Sequence, residues 1–194
     1  MSGQKTVTPS AAGLAESIKA AKTRGMPPLE TWNPPFCGDI DMQIKRDGTW
    51  FYEGTPIGRP GLVKLFASIL WREGDTYFLI TPVEKVGITV EDAPFVAVDF
   101  DASGQGKAQE LEFVTNLEDV AGAGPDHPIR VERDPKTGEP SPYIHIRRNL
   151  EALIDRKSFY RLVDLGVHHD GWFGVWSGGT FFGIIPSEEL PPES

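Results

Sequence analysis

Three groups of residues have the types and spacing to do chemistry. In Glu53-Gly54-Thr55-Pro56-Ile57-Gly58-Arg59-Pro60-Gly61 an arginine stands at the expected start of an amphipathic helix. The first N–H groups of a helix lack intrahelical partners and carry partial positive charge, so they favour a side-chain cap and nearby acids. Arg59 adds positive charge to that end, and an anion seated there would be held by N–H groups and guanidinium together. Arg59, the backbone of Gly58 and Gly61, and Thr55 therefore form the candidate ligand-binding set. Internal pairing is the competing reading: Glu53, Asp39 or Asp41 would satisfy Arg59, or Thr55 would cap the helix.

Asp39 and Asp41 stand two apart in Gly38-Asp39-Ile40-Asp41-Met42-Gln43-Ile44, on what reads as a strand. Paired carboxylates can divide acid and base roles or hold a hard cation. They alternate, however, with Ile40, Met42 and Ile44, the pattern of a strand with one solvated face. No third acidic ligand follows at a recognisable spacing. Beyond solvation, their expected role is to position Arg59.

His168-His169-Asp170 supplies two imidazoles and a carboxylate in succession. Adjacent residues usually point apart, so this is a weaker metal pattern than two histidines on one helix or strand face. His145 joins them only if tertiary folding brings it there, and His127 sits in a turn, Gly-Pro-Asp-His-Pro. Nucleophile motifs are missing: no Gly-x-Ser-x-Gly occurs, and Cys37 reads as a buried thiol. Gly104-Gln105-Gly106-Lys107 lacks the first glycine of a Walker loop, and Ala108 replaces its Ser or Thr, so it reads as a hairpin.

The elements that must position these residues follow from periodicity. Leu14, Ile18 and Ala21 recur at helical spacing, and Gly25 before Pro27-Pro28 stops that helix. Asp47-Gly48 predicts a hairpin between the Asp39 strand and Thr49–Glu53. Leu62, Leu65, Phe66, Ile69 and Leu70 form one apolar stripe, predicting a helix from Pro60 to Trp71. Strands follow at TYFLI, VGITVE, FVAVDF, AQELEFVT, IRVERD, PYIHIRR and LEALI, with a second helix over 156–165. A final aromatic hairpin turns at Ser177-Gly178-Gly179. Helices and strands do not alternate regularly, so the expected fold is α+β with mostly antiparallel sheets and two to three helices.

Ile57-Gly58-Arg59-Pro60-Gly61-Leu62-Val63-Lys64-Leu65 echoes Ile154-Asp155-Arg156-Lys157-Ser158-Phe159-Tyr160-Arg161-Leu162. The echo predicts two subdomains around similar strand–helix–strand units. The expected division is a helix and arm over 1–26, a first subdomain over 27–103 and a second over 104–194. In the second copy Asp155 stands where Gly58 does and can cap its own helix.

The 194 residues carry a formal charge of -9, which disfavours nucleic acid as a partner. A single cysteine fits a reducing compartment. Neither a secretory apolar segment nor an apolar run of membrane-spanning length occurs, so no membrane partner is expected and the expected location is cytoplasmic. A basic run, Arg147, Arg148, Arg156, Lys157 and Arg161, is interrupted by Glu151 and Asp155 and reads as a mixed, solvated surface.

GDIDMQI, EGTPIGRPGLVKLFASIL with the strand after it, and the closing GVWSGG together resemble the bacterial domain of unknown function 1285 family. The likeness covers nearly the whole chain apart from its two ends. It implies a compact two-part α+β architecture and a regulatory or ligand-binding role, and it brings no catalytic residues with it. The expected function is thus a non-catalytic regulatory module without a cofactor. It would hold a small anionic ligand or a peptide at Arg59, between the subdomains. The alternatives are a metal-dependent hydrolase using His168, His169 and Asp170, and a protein–protein adaptor using the aromatic hairpin.

Overall fold

The structure is a computed structural model that describes residues 9–20 and 25–191; Ala21 and the arm before residue 9 lie outside the described residues. The chain divides into two units, Met1–Asp92 and Ala93–Ser194. The division falls before the expected residues 103/104. Strand Phe95–Ser103 turns back into Glu110–Thr115, and both belong to the second unit.

The first unit opens with α1 (Ala11–Ala20), which buries Leu14, Ala15 and Ile18. It continues with β1 (Phe36–Ile44), β2 (Trp50–Tyr52) and β3 (Thr55–Pro56), then α2 (Pro60–Ser68). After α2 come β4 (Leu70–Glu73), β5 (Thr76–Ile80) and β6 (Lys85–Val90). The six strands form one sheet in the order β3-β2-β1-β6-β5-β4. Each half is an antiparallel meander, and β1 and β6 join the halves as a parallel pair. Helix α2 is shorter than its apolar stripe predicts. Leu70 and Trp71 pair with Leu79 and Phe78 in β4–β5, so tertiary pairing takes the end of the stripe away from the helix. What α2 buries is Val63, Phe66 and Ala67, with the Phe66 ring stacked 6.5 Å from Trp50 of β2.

The second unit begins with β7 (Phe95–Ser103), β8 (Glu110–Thr115) and β9 (Val120–Gly122). A second meander follows: β10 (Ile129–Arg133), β11 (Pro140–Arg147) and β12 (Leu150–Ile154). Their order, β10-β11-β12-β7-β8-β9, repeats that of the first sheet, again with a parallel pair, β12–β7, at the centre. The repeat is therefore one of strand order. The echoed helix segments fall at non-equivalent points: α2 joins the two meanders of its sheet, whereas α3 (Arg156–Asp164) follows the last strand of its own. A three-stranded sheet, β13 (Val167–His169), β14 (Trp172–Ser177) and β15 (Thr180–Pro186), completes the unit. Its hairpin turns at Gly178 and Gly179, both at positive φ, as a tight two-residue turn requires.

The fold is α+β, with mostly antiparallel sheets and three α-helices among the described residues. No helix among those residues is long and apolar enough to cross a membrane.

The turn from β5 to β6 holds Glu84, which is only 7% exposed. Burial pushes its carboxyl above the ordinary value of 4.5. A folded-state value raised in this way means stability that is present below the unfolded value and lost as the pH rises through the folded one. Glu84→Gln should therefore raise the melting temperature at pH 7, and the gain should shrink on acidification to pH 4, as measured by thermal unfolding at both values. Phe66→Ala should cost about 3–5 kcal/mol in urea unfolding, through lost burial and the cavity left beneath α2.

Candidate functional site

The start of α2 is open. Pro60 occupies the first helical position, where its missing N–H costs nothing, and Arg59 is the N-cap residue in an extended conformation. No side chain caps this end, and the first turn contains no acidic residue. Helix α3 contrasts with it, because the Asp155 carboxylate accepts a hydrogen bond from the Ser158 N–H at 2.9 Å. Arg59 is exposed, and no hydrogen bond or ion pair reaches its guanidinium among the described residues. Beside Gly58 and Gly61 the space is empty to 4 Å where a Cβ would stand. Thr55 is spent in the β2–β3 pairing, opposite Tyr52, and does not cap the helix.

The three acids expected to position Arg59 are placed otherwise. Asp39 and Asp41 lie exposed on β1, while Met42 and Ile44 beyond them are buried. Asp39 stands opposite Gly87 on β6, and its carboxylate fills the space that a side chain at Gly87 would need. The carbonyl of Asp41 accepts the N–H of Glu53 at 2.9 Å, and Glu53 itself takes a positive φ in the turn into β3. Sequence periodicity anticipates the solvated face. The packing of Asp39 over a glycine on a parallel strand depends on a register the sequence does not display.

The histidines separate as adjacent strand residues do. His168 meets the Ser187 hydroxyl at 2.8 Å and the Phe173 ring, whereas His169 packs on Trp176 and Phe181. Asp170 reaches His169, at 3.1 Å. Tertiary folding instead brings His127 to His145, with ring centroids 5.6 Å apart and His127 Nδ1 3.0 Å from the His145 carbonyl. Among the described residues no group of three or more His, Cys, Asp or Glu is arranged to hold a metal ion. Cys37, expected to be buried, is exposed near the start of β1, where its thiol donates to the Pro35 carbonyl.

Three members of the basic run of the second unit are paired internally. Arg147 pairs with Asp119 over the Phe95 ring, Arg161 pairs with Asp99 over Phe100, and Arg156 reaches Glu139. The Arg161 guanidinium beside Asp99 holds that carboxyl below its ordinary range.

Two further concave features lie in the second unit, and the first of them escapes sequence reasoning. One is a cavity of about 420 Å³ with Asp101, Glu110, Glu112, Asp126 and His127 in its wall. Its acids come from separate strands and a loop, and the β7–β8 register sets Asp101 opposite Glu112. The other is a groove over Gly183 between Trp172 and Phe181.

These observations define a class: a two-unit, sheet-rich α+β protein with an exposed cationic helix start and no assembled metal centre among its described residues. The chain belongs to the domain of unknown function 1285 family. Residues 27–93 match the model of its N-terminal domain, described as a domain of unknown function, and residues 94–184 match that of its C-terminal domain. The crystal structure of a DUF1285 family protein from Silicibacter pomeroyi DSS-3 is 62% identical, covering 92% of this chain and 97% of that one, with a TM-score of 0.85. A DUF1285 family protein from Shewanella baltica OS155 is 33% identical over 63% of this chain and 90% of that one, with a TM-score of 0.50. The curated proteins contain no match.

The two helix starts should respond differently to truncation. Asp155→Ala should cost about 1 kcal/mol in urea unfolding, whereas Arg59→Ala should stay within about 0.5 kcal/mol of the wild type. A large loss for Arg59→Ala would make its guanidinium a structural strut.

Proposed function

We propose that this protein is a non-catalytic regulatory module whose first unit holds a small anionic ligand at the start of α2. One observation carries the reading: Arg59 is an exposed N-cap residue at a helix end with neither a side-chain cap nor an acid in its first turn. That end offers N–H groups, a partial positive charge and a guanidinium to the same anion, such as a phosphate or carboxylate. Gly58 and Gly61 leave room for it, and Thr55 lies on the strand that leads into the helix. A ligand bound here would favour the state in which α2 is seated on Trp50, which is the physical content of regulation in this reading.

Thermal unfolding against phosphate, sulfate, small carboxylates and nucleotides tests it. A ligand at a hundred times its dissociation constant stabilises the folded state by about 2.7 kcal/mol. The expected result is a raised midpoint for the wild type and none for Arg59→Ala. Absence of a shift with every anion would overturn the reading. A shift with a divalent metal alone would move attention to the hydrolase alternative at His168, His169 and Asp170.

A further inference from the structure

His127 and His145 meet with their ring centroids 5.6 Å apart and their planes tilted by 36°. The backbone fixes both residues. His127 ends the turn Gly124-Pro125-Asp126-His127, which two hydrogen bonds close: Gly124 N–H to the His127 carbonyl at 3.1 Å, and His127 N–H to the Gly124 carbonyl at 3.2 Å. His145 lies on β11, and its N–H donates to the Pro128 carbonyl at 3.1 Å.

The hydrogen bonds of the two rings settle their tautomers. A carbonyl oxygen only accepts, so a ring nitrogen facing one carries the proton. His127 Nδ1 lies 3.0 Å from the His145 carbonyl and is therefore its N–H. His145 Nε2 donates to the carbonyl of Arg148, a residue at φ 51 in the turn from β11 to β12. In the neutral rings the lone pairs then fall on His127 Nε2 and His145 Nδ1. The second of these is buried and has no hydrogen-bond partner among the described residues. A buried acceptor left unsatisfied is unfavourable and marks the place of a missing partner. Glu151, opposite His145 on β12, does not fill it, because its two carboxylate oxygens accept from Arg130 at 2.8 and 2.9 Å.

Donation of one ring N–H to a backbone carbonyl is how metal-ligating histidines fix their tautomer and orientation. Two imidazoles that share one ion, with each ligating nitrogen about 2.0–2.1 Å from it, hold their centroids about 5–6 Å apart near tetrahedral angles. The observed separation falls in that range. His127 also forms part of the wall of the cavity of about 420 Å³, so water can reach the ion from that side.

We propose that His127 Nε2 and His145 Nδ1 together ligate one imidazole-preferring divalent ion, Zn²⁺ or Cu²⁺, with water in its remaining positions. The ion ties the turn before β10 to β11 and supplies the partner that His145 Nδ1 lacks. Mg²⁺, which takes oxygen ligands, is not held. The site lies wholly in the second unit, shares no residue with His168, His169 and Asp170, and is independent of Arg59.

Isothermal titration of the untagged full chain with Zn²⁺ tests the proposal, together with electron paramagnetic resonance of the Cu²⁺-loaded protein. The expected result is one ion per chain, with Cu²⁺ coupled to two imidazole nitrogens. His127→Gln and His145→Gln should each weaken Zn²⁺ binding by about tenfold or more and reduce the coupling to a single imidazole. His127→Gln, in a turn, keeps the test decisive if His145→Gln fails to fold. His168→Ala/His169→Ala and Arg59→Ala should bind Zn²⁺ as the wild type does. Absence of Zn²⁺ binding, equal binding of Mg²⁺, or full affinity in His127→Gln would overturn the proposal. Coupling of Cu²⁺ to one imidazole in the wild type would also overturn it, as would loss of binding through His168→Ala/His169→Ala. Because Arg59→Ala probes the anion site separately, either reading can fail while the other stands.

Discussion

The parallel pairing of β1 with β6, and of β7 with β12, is the constraint on which the rest of the structure depends. A three-stranded meander needs only local turns, but it covers too little area to close a core. Each unit therefore joins two meanders through one long-range parallel pair. Parallel neighbours cannot be connected by a tight turn, so the intervening chain must travel out to one sheet edge and return from the other. In the first unit that crossing includes α2; in the second, the corresponding connection between β9 and β10 has no α-helix.

This topology accounts for the open helix end. Strand β3 is the edge of its sheet and only two residues long, so the chain leaves it at the periphery and enters α2 within a few residues. Arg59 consequently meets solvent. Asp155 stands in a different setting: its N–H bonds to the Ala97 carbonyl of β7, which holds the residue where its carboxylate can cap α3. Two helix starts with similar sequence thus differ in electrostatics because they leave different places in their sheets. The arginines of the second unit show the same dependence, since aromatic rings on other elements give Arg130, Arg147 and Arg161 surfaces to lie on.

Much of the candidate chemistry was legible as residue type and little of it as arrangement. Arg59 at a helix start without an acid could be read directly, because capping is a local matter. The divergence of His168 and His169 was legible for the same reason, since neighbours on a strand face opposite sides. The acidic cavity was not, because Asp101 and Glu112 become neighbours only through strand pairing and Asp126 joins them from a separate loop. His127 and His145 are likewise joined by folding, although eighteen residues separate them.

By itself the sequence determined most of the element types, the Asp47-Gly48 and Gly178-Gly179 turns, the uncapped start of α2, the cap of α3 and the family resemblance. Each rests on interactions within a few residues, where periodicity and turn chemistry act. Only the tertiary structure decided that Leu70 and Trp71 leave the helix for a strand, that the units divide before β7, and that the two sheets share one strand order. Those outcomes depend on which distant strand supplies the pairing partner. No local pattern encodes that choice, because β7 is equally able to hydrogen-bond on either side until β8 and β12 arrive.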